Sequence, residues 1–365
     1  MKIALIHDFL DIYYSEQENR TIESHHNRVI GSITSALEEL GHEVELVEAN
    51  SQLREHLIKI EPQFAFNYSL RKDKKSQLAL APLQLEQLKI PYSGCSPQVC
   101  ISAFNKYKTK LILQNAGVAT SKYCLITDCH EIRIPHFLTF PIFIKPITGG
   151  CSLGINERNL VYSQESCEKV VKEVIEKNHQ PVLIEQYLPG REFTVGILGN
   201  NPPRLLPIRE FIFDSNLTNH VPFRCFQTKM KHGGNEKAIC PAWLSKKEEE
   251  SIRNLALNAF QAVGCRDYAR IDIRCDMEGS PYVIEINALP SLIPQKSSFA
   301  IMARIAGIPF KDLIREILLY ASMRYDISFE HIPSRPIQMP DYQIARYALN
   351  RSFETYSTED YQAKQ

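Results

Sequence analysis

The chain has 365 residues, of which 44% are hydrophobic and 23% are charged. This length exceeds what one ordinary hydrophobic core covers and predicts two or three domains, and the composition is that of a globular protein. The 42 basic and 42 acidic residues cancel. Charge therefore gives no bulk attraction to nucleic acid or to anionic membranes, and we expect neither as a partner.

The first residues, MKIALIHDF, form a strand-length apolar run without the core length or the cleavage site of a secretory signal. No apolar run approaches the roughly 20 residues that span a bilayer. The ten cysteines include no CxxC pair, which favours reduced thiols. Together these features predict a cytoplasmic protein.

Residues 1–100 alternate strand-like and helix-like segments. In chain order they are KIALIH, HHNRVIGSITSALEELG, HEVELVEA, REHLIKIEPQFAFNYS and SQLALAPLQLEQLKI. Such alternation predicts a parallel sheet covered by helices. No GxGxxG follows the first strand, so the dinucleotide-binding fingerprint is absent. We expect an N-terminal α/β domain here.

A second unit is expected over residues 101–182. It begins with one helix, SAFNKYKTKLILQNAG, which ends at Gly117, and continues with strands FPIFIKP and PVLIEQYL on either side of the helix SCEKVVKEVIEKN. A third unit, 183–325, contains the helix SKKEEESIRNLALNAFQAVG, a hairpin and the amphipathic helix FKDLIREILLYASMRY. Residues 326–365 form a polar tail that contains prolines.

The hairpin of the third unit, RIDIRCDMEGSPYVIEINALPSL, covers residues 270–292. The alternation of strands predicts an apolar face that carries Ile271, Ile273, Tyr282, Ile284 and Ile286. The opposite face then carries Arg270, Asp272, Arg274, Val283, Glu285 and Asn287. Oxygen ligands beside a fixed cation suit Mg²⁺, although such alternation is also typical of a solvated hairpin face.

Two further segments carry groups that suit a nucleotide. FIKPITGGCSLGI, residues 143–155, places Lys145 before a glycine-rich turn, where backbone amides can approach phosphate oxygens and the lysine can neutralise them. LIEQYLPGREFTV, residues 183–195, supplies Glu185 and Glu192, which can accept hydrogen bonds from an adenine amine or a ribose hydroxyl. An ordinary hairpin turn and solvated glutamates are the alternative interpretations.

The order of these segments resembles that of the ATP-grasp superfamily and, within it, of the D-alanine:D-alanine ligase family. The resemblance covers roughly residues 90–310. It is carried by KYKTKLILQNAGV, FIKPITGGCSLGI, EQYLPGREFTVGIL, CPAWL and GCRDYARIDIRCDMEGSPYVIEINALPSL. It implies an ATP-grasp fold, in which two α+β subdomains clasp ATP, preceded by an N-terminal parallel-sheet α/β domain.

The resemblance also implies roles for single residues at the nucleotide. The phosphates of ATP would be contacted by Lys106, Lys145 and Lys229, with Lys231 as an alternative to Lys229. The loop that closes over the phosphates would contain Gly149, Gly150, Cys151, Ser152 and Gly154. The adenosine would be read by Glu185 at the adenine, Leu188 at the hinge backbone and Glu192 at the ribose.

At the reacting groups, the resemblance implies that two Mg²⁺ ions, or Mn²⁺, are held by Asp272, Glu285 and Asn287, with Glu285 bridging. Arg270 would steady the transferred phosphoryl group and the oxyanion, which makes Arg270, Lys145 and Lys229 the catalytic candidates. Ser291 and Lys296 align with the positions whose backbones hold the carboxylate of the acceptor amino acid.

The implied reaction joins a carboxylate to an amine through an acyl phosphate and releases ADP and phosphate. Three features depart from the family: the segments after the first strand, Cys151 in place of a serine, and Ser291 after Pro290 in place of a glycine. They favour small-molecule substrates other than two D-alanines. A genuine D-alanine:D-alanine ligase, a carrier-linked or ring-forming acceptor, and an ATP-binding protein without turnover remain alternatives, and a homodimer is possible.

Overall fold

The computed structural model describes residues 1–8, 16–69, 79–129, 132–149, 155–213, 223 and 237–329, and for residues 16–25 it describes the helical backbone alone. Three β-sheets with flanking helices make up these residues. The predicted α/β class is confirmed. No helix within the described ranges has both the length and the apolar character needed to cross a bilayer.

The N-terminal sheet is parallel, as predicted, with the strand order β2-β1-β3. Its strands are β1 (Lys2–His7), β2 (Glu43–Glu48) and β3 (Phe64–Asn67). The helices of this region are α1 (Glu16–Glu39), α2 (Leu53–Ile60), α3 (Leu80–Gln87) and α4 (Pro97–Phe104). Helical crossovers of this kind are what parallel neighbours require.

The central sheet is antiparallel, with the order β4-β7-β5-β6. Its strands are β4 (Tyr123–Ile126), β5 (Ile142–Pro146), β6 (Leu160–Val161) and β7 (Val182–Gln186). Helix α5 (Lys106–Asn115) precedes this sheet and helix α6 (Gln164–Asn178) packs against it. The boundary expected at residue 183 falls inside β7.

The prediction of a single helix across residues 102–117 is wrong, because Asn105 interrupts the helix and separates α4 from α5. This residue has an extended backbone, and its side chain accepts a hydrogen bond from the Lys108 amide at 3.0 Å. An asparagine that caps a helix in this way satisfies one of the free amides of the first turn. The Lys106 amide also donates to the Ile147 carbonyl at 2.8 Å. Helix α5 therefore starts at Lys106, beside the end of β5.

The C-terminal sheet is antiparallel, with the order β11-β10-β8-β12-β13, and β9 pairs with β8. Its strands are β8 (Glu192–Leu198), β9 (Arg204–Leu205), β10 (Arg209–Phe211), β11 (Ala238–Ile239), β12 (Tyr268–Cys275) and β13 (Pro281–Asn287). Helix α7 (Lys246–Val263) connects β11 to β12, and helices α8 (Ser298–Ile305) and α9 (Phe310–Met323) follow β13.

The β12–β13 hairpin corrects one detail of the predicted faces. The register shifts after Asp272, so that Asp272 faces Glu285 but Ile273 faces Val283. A bulge of this type turns the alternation over on one strand. Val283 is consequently buried in the core, whereas Ile284, which was predicted to be a core residue, lines an open cleft. Tyr282 is half-buried.

The N-terminal sheet and the central sheet pack into two separate hydrophobic cores. One core runs from the N-terminal sheet to the last helices and includes Ile3, Phe64, Leu313 and Ile317. A separate core fills the space between the central sheet and α6. The central sheet therefore has an interior of its own, while one face of the first sheet shares its core with helices α8 and α9.

Candidate active site

A cleft lies between the central and C-terminal sheets, and eight of the residues predicted to contact the nucleotide or the metal line it, whereas Arg270 and Asn287 are not in the lining. The eight are Lys106, Lys145, Gly149, Glu185, Leu188, Glu192, Asp272 and Glu285. Residues from α5, β5, β7, β8, β12 and β13 thus meet in one place although they are far apart in the chain. The predicted residues Gly150, Cys151, Ser152, Gly154 and Lys229, and the alternative Lys231, lie outside the described residues.

One wall of the cleft is apolar. Phe143 and Phe223 meet edge to face with ring centroids 4.7 Å apart, and Ile155 packs against them. Leu188 and Ile284 are further apolar residues of the cleft lining. Ligand pockets are typically lined by apolar and aromatic side chains with a few polar groups. The arrangement suits an aromatic base.

Glu185 is a buried carboxylate in the cleft lining, and two lysines contact it. Its carboxylate contacts the Lys110 ammonium at Oε1, 2.6 Å away, and the Lys145 ammonium at Oε2. Burial alone would raise the pKa of Glu185, but the two lysines outweigh burial and hold this pKa below its ordinary value. Glu185 is therefore a carboxylate at neutral pH and can only accept hydrogen bonds.

Lys106 stands at the first position of α5 and donates to the Gly149 carbonyl at 2.9 Å. Burial lowers the pKa of Lys106, Glu285 opposes the shift, and Lys145 adds to it. Gly149 has φ +126, a conformation that favours glycine over other residues. The contact brings a buried cation to the described end of the glycine-rich turn.

Asp272 connects the polar groups of the hairpin. Arg270 donates to both of its oxygens, from Nε at 2.9 Å and from Nη2 at 2.8 Å. The Thr194 hydroxyl donates at 2.6 Å and the Asn287 amide at 3.1 Å. Across the two strands, Asp272 pairs in register with Glu285 and Arg270 with Asn287. The polar face predicted from the alternation therefore exists at these four positions.

The donor set at this face fits a hard divalent cation. Two carboxylates and one amide provide the oxygen ligands that Mg²⁺ and Mn²⁺ take, usually together with waters and phosphate. In the part of the chain that the structure describes, no group of three or more His, Cys, Asp or Glu side chains gathers as a metal site. A cation at Asp272 would share that carboxylate with Arg270.

Sequence reasoning missed the role of two buried cations, of which Arg274 lines the cleft and Lys110 lies behind the lining. Arg274 was predicted on the polar face without a partner. In the structure it donates to Glu192 at 3.0 Å and to the Tyr187 hydroxyl at 3.0 Å, with its guanidinium 5.0 Å from the Tyr187 ring centroid. Lys110 lies one turn beyond Lys106, and this i, i+4 spacing is a signal that places both side chains on one helix face.

The predicted acceptor residues are not among the residues that line this cleft. Ser291 is half-buried and Lys296 is exposed. Between them, the Leu292 amide donates to the Tyr68 hydroxyl at 3.1 Å, which ties this segment to the end of β3 in the N-terminal domain. The structure therefore puts Ser291 and Lys296 near the junction of the first and third units and outside the nucleotide lining.

Comparison with known proteins gives consistent results. A family model described as D-ala D-ala ligase C-terminus matches residues 112–319. The D-alanine–D-alanine ligase of Maridesulfovibrio salexigens is 32% identical over 287 residues, which cover 78% of this chain and 90% of that protein. The ligase of Pelotomaculum thermopropionicum is 31% identical over 246 residues, 64% of this chain and 73% of that protein.

A protein of Sinorhizobium fredii described as uncharacterized, y4sG, is 31% identical over 307 residues, which cover 82% of this chain and 88% of that protein. Among solved structures, the D-alanine–D-alanine ligase of Bacillus anthracis complexed with ATP superimposes with a TM-score of 0.69. The match has 23% identity and covers 89% of this chain and 99% of that one. The structural match establishes that the two chains share a fold.

Proposed function

We infer that this chain, which belongs to the D-alanine–D-alanine ligase family of ATP-grasp proteins, uses ATP to join a carboxylate substrate to an amine. The observation that carries the proposal is the facing arrangement of the cleft. Lys145 and Glu185 lie on the central sheet and Asp272 and Glu285 on the C-terminal sheet, and all four line the cleft together with Lys106 at the start of α5.

In the proposed reaction, the carboxylate substrate attacks the γ-phosphate of ATP, which gives an acyl phosphate and ADP. Two anions have to approach each other in this step, so cations around them lower the barrier. Lys106, Lys145 and Arg270 supply positive charge from the protein. Asp272, Glu285 and Asn287 would hold divalent cations, which would supply further positive charge to offset the phosphates.

The amine substrate then attacks the acyl phosphate, an oxyanion forms, and phosphate leaves as the amide bond closes. Arg270 is the residue whose guanidinium can stabilise this oxyanion, since Asp272 fixes it with two hydrogen bonds. Glu185 would accept a hydrogen bond from the adenine amine, and Glu192 one from the ribose.

We propose that the substrate pair differs from two D-alanines. The support comes from the sequence. Cys151 and Ser291 differ from the residues of the family, and the segment after β1 lacks the glycine-rich, glutamate-containing pattern that D-alanine ligases carry there. Synthesis of D-alanyl-D-alanine is the second candidate, and the 31–32% identity to D-alanine–D-alanine ligases favours it. A screen of amino-acid pairs for phosphate release, followed by the mass of the product, decides between the two.

The variants Asp272→Asn and Glu285→Gln test the reaction itself. Each removes one negative charge from the candidate cation ligands while keeping the shape, so we expect ADP formation to fall at least about 100-fold. Glu278→Gln is the matched control, because Glu278 is an exposed acid in the turn of the same hairpin. Full activity in either cleft variant, or an equal loss in the control, would overturn the assignment.

A further inference from the structure

Lys110 is a buried cation that the proposed reaction does not use. Its side chain is 2% exposed, and it lies 2.6 Å from the Oε1 atom of Glu185. Its ammonium also donates to the Thr120 hydroxyl and to the Ser121 hydroxyl, both at 2.8 Å. An ammonium has three hydrogens to donate. Acceptor atoms on three residues, Glu185, Thr120 and Ser121, therefore hold Lys110 in place.

The two lysines on Glu185 differ in their access to the cleft. Lys145 contacts Oε2, has a side chain that is 10% exposed, and lines the cleft. Lys110 contacts Oε1 from behind and is not part of that lining. A phosphate that enters the cleft can draw the Lys145 ammonium away from Glu185, whereas Lys110 stays.

If Lys145 leaves Glu185 for a phosphate, Lys110 is the cation that remains beside the buried carboxylate. A buried carboxylate that loses every nearby cation is costly and takes up a proton instead. A protonated Glu185 would present a hydroxyl where a carboxylate oxygen is needed to accept from an amine. Recognition of the adenine amine by Glu185 thus depends on the positive charge of Lys110, which lies behind the cleft lining.

We propose that Lys110 is a positioning residue for nucleotide selection, which holds Glu185 as an oriented carboxylate while Lys145 engages the phosphates. The inference rests on the proposed ATP-dependent function. Adenine carries an exocyclic amine at the position where guanine carries a carbonyl. According to this proposal, the pair Lys110 and Glu185 produces the preference for ATP over GTP.

The surroundings of Lys110 also tie this pair to the metal-ligand strand. The Thr120 hydroxyl that accepts from Lys110 donates in turn to the Val283 carbonyl at 2.7 Å. The Val283 amide donates to the Ala119 carbonyl at 3.0 Å. Val283 lies two residues before Glu285 on β13. Lys110 therefore fixes Glu185 relative to the strand that carries a proposed cation ligand.

The test compares Lys110→Met with Lys108→Met in the full-length protein. Lys108 is exposed on the same helix, which makes it the matched control. Dissociation constants for ATP and GTP are measured by titration calorimetry. In Lys110→Met, we expect the preference for ATP over GTP to fall about 10- to 100-fold, the size of one hydrogen bond to a charged group. The loss should come from ATP alone.

A purely structural role for Lys110 would weaken ATP and GTP equally and leave their ratio unchanged, and that result overturns the proposal. The second readout is a double-mutant cycle. In a Glu185→Gln background, Lys110→Met should not change the ratio further, because the group that it positions is already gone. An additional loss of selectivity there would also contradict the proposal.

Thr120→Val provides a milder variant if Lys110→Met does not fold. It removes one acceptor of Lys110, keeps both charges and changes no residue of the cleft lining, so selectivity should fall by a smaller factor, and an unchanged ratio counts against the proposal. The wild-type protein separates this inference from the proposed function. Equal binding of ATP and GTP by the wild type would refute the adenine-reading role of Glu185, whereas a selective wild type with an equally selective Lys110→Met refutes only the role of Lys110.

Discussion

The ion pair between Arg274 and Glu192 allows a quantitative test of how the cleft is stabilised. The two charged groups are 3.0 Å apart, and their side chains are only 6% and 7% exposed. Arg274 also lies over the rings of Tyr187 and Phe213. Arg274→Met keeps an apolar stem of similar length but leaves the buried Glu192 carboxylate without its guanidinium.

Breaking a buried ion pair from one side costs about 3–5 kcal/mol, because the remaining charge stays out of water. This is a large part of the roughly 5–15 kcal/mol that stabilises a typical domain. In the double variant Arg274→Met/Glu192→Gln, no buried charge remains at this pair. We therefore expect the double variant to be more stable than Arg274→Met alone, by about 1–3 kcal/mol.

Trp243 makes this measurement specific. It is the single tryptophan of the chain, and its carbonyl accepts from Arg191 beside the C-terminal sheet, so its fluorescence during urea unfolding reports this part of the molecule. Arg253→Met is the control, because Arg253 pairs with Glu249 at 3.8 Å on an accessible helix face and its loss should cost under about 1 kcal/mol. If Arg274→Met costs no more than the control, or if the double variant is less stable than Arg274→Met, the reasoning is refuted.

Two further predictions concern the acceptor and the N-terminal domain. Lys296→Met should raise the KM for the amine substrate about 10- to 150-fold and leave the KM for ATP unchanged, since a charge-assisted hydrogen bond to an acidic group of the acceptor would be lost. Steady-state kinetics with each substrate varied in turn measure the two constants. An equal change in both would show that Lys296 does not bind the acceptor. Burial, helped by neighbouring His7, lowers the pKa of His26 from 6.5 to about 4, so the unfolded chain binds more protons between these values and stability falls as pH drops below 6.5. Urea unfolding should then show a loss of about 2 kcal/mol between pH 7 and pH 5 that His26→Gln removes, and an equal loss in the variant would assign the effect to other groups.

The order of the elements could be predicted because their periodicities are strong. The parallel first sheet and the polar face that joins Arg270, Asp272, Glu285 and Asn287 follow from alternation alone. The break at Asn105 could not be read with certainty, since an asparagine is tolerated inside a helix and becomes a cap only when a neighbouring strand end accepts the next amide. Local sequence carries no information about that neighbour.

The missed features of the site have the same origin. Ile284 faces the cleft because the hairpin contains a bulge, and a bulge is set by how two strands pair. Arg274 and Lys110 were visible as charged residues, but their buried partners, Glu192 and Glu185, lie on other strands. A sequence shows which residues are charged, whereas the fold determines which charged side chains are buried as pairs.

The core shared by the first sheet and the last helices has a consequence for synthesis of the chain. Ile3 and Phe64 pack in the same cluster as Leu313 and Ile317 of α9. A ribosome releases β1 to β3 and α1, whose Ile33 and Leu37 belong to the same cluster, long before it has made α9, so the part of this apolar face that α9 covers stays exposed until then. A fragment that stops before Phe310 would keep this face exposed and should aggregate. One face of the strand that is translated first is thus completely buried only when a helix made much later is in place.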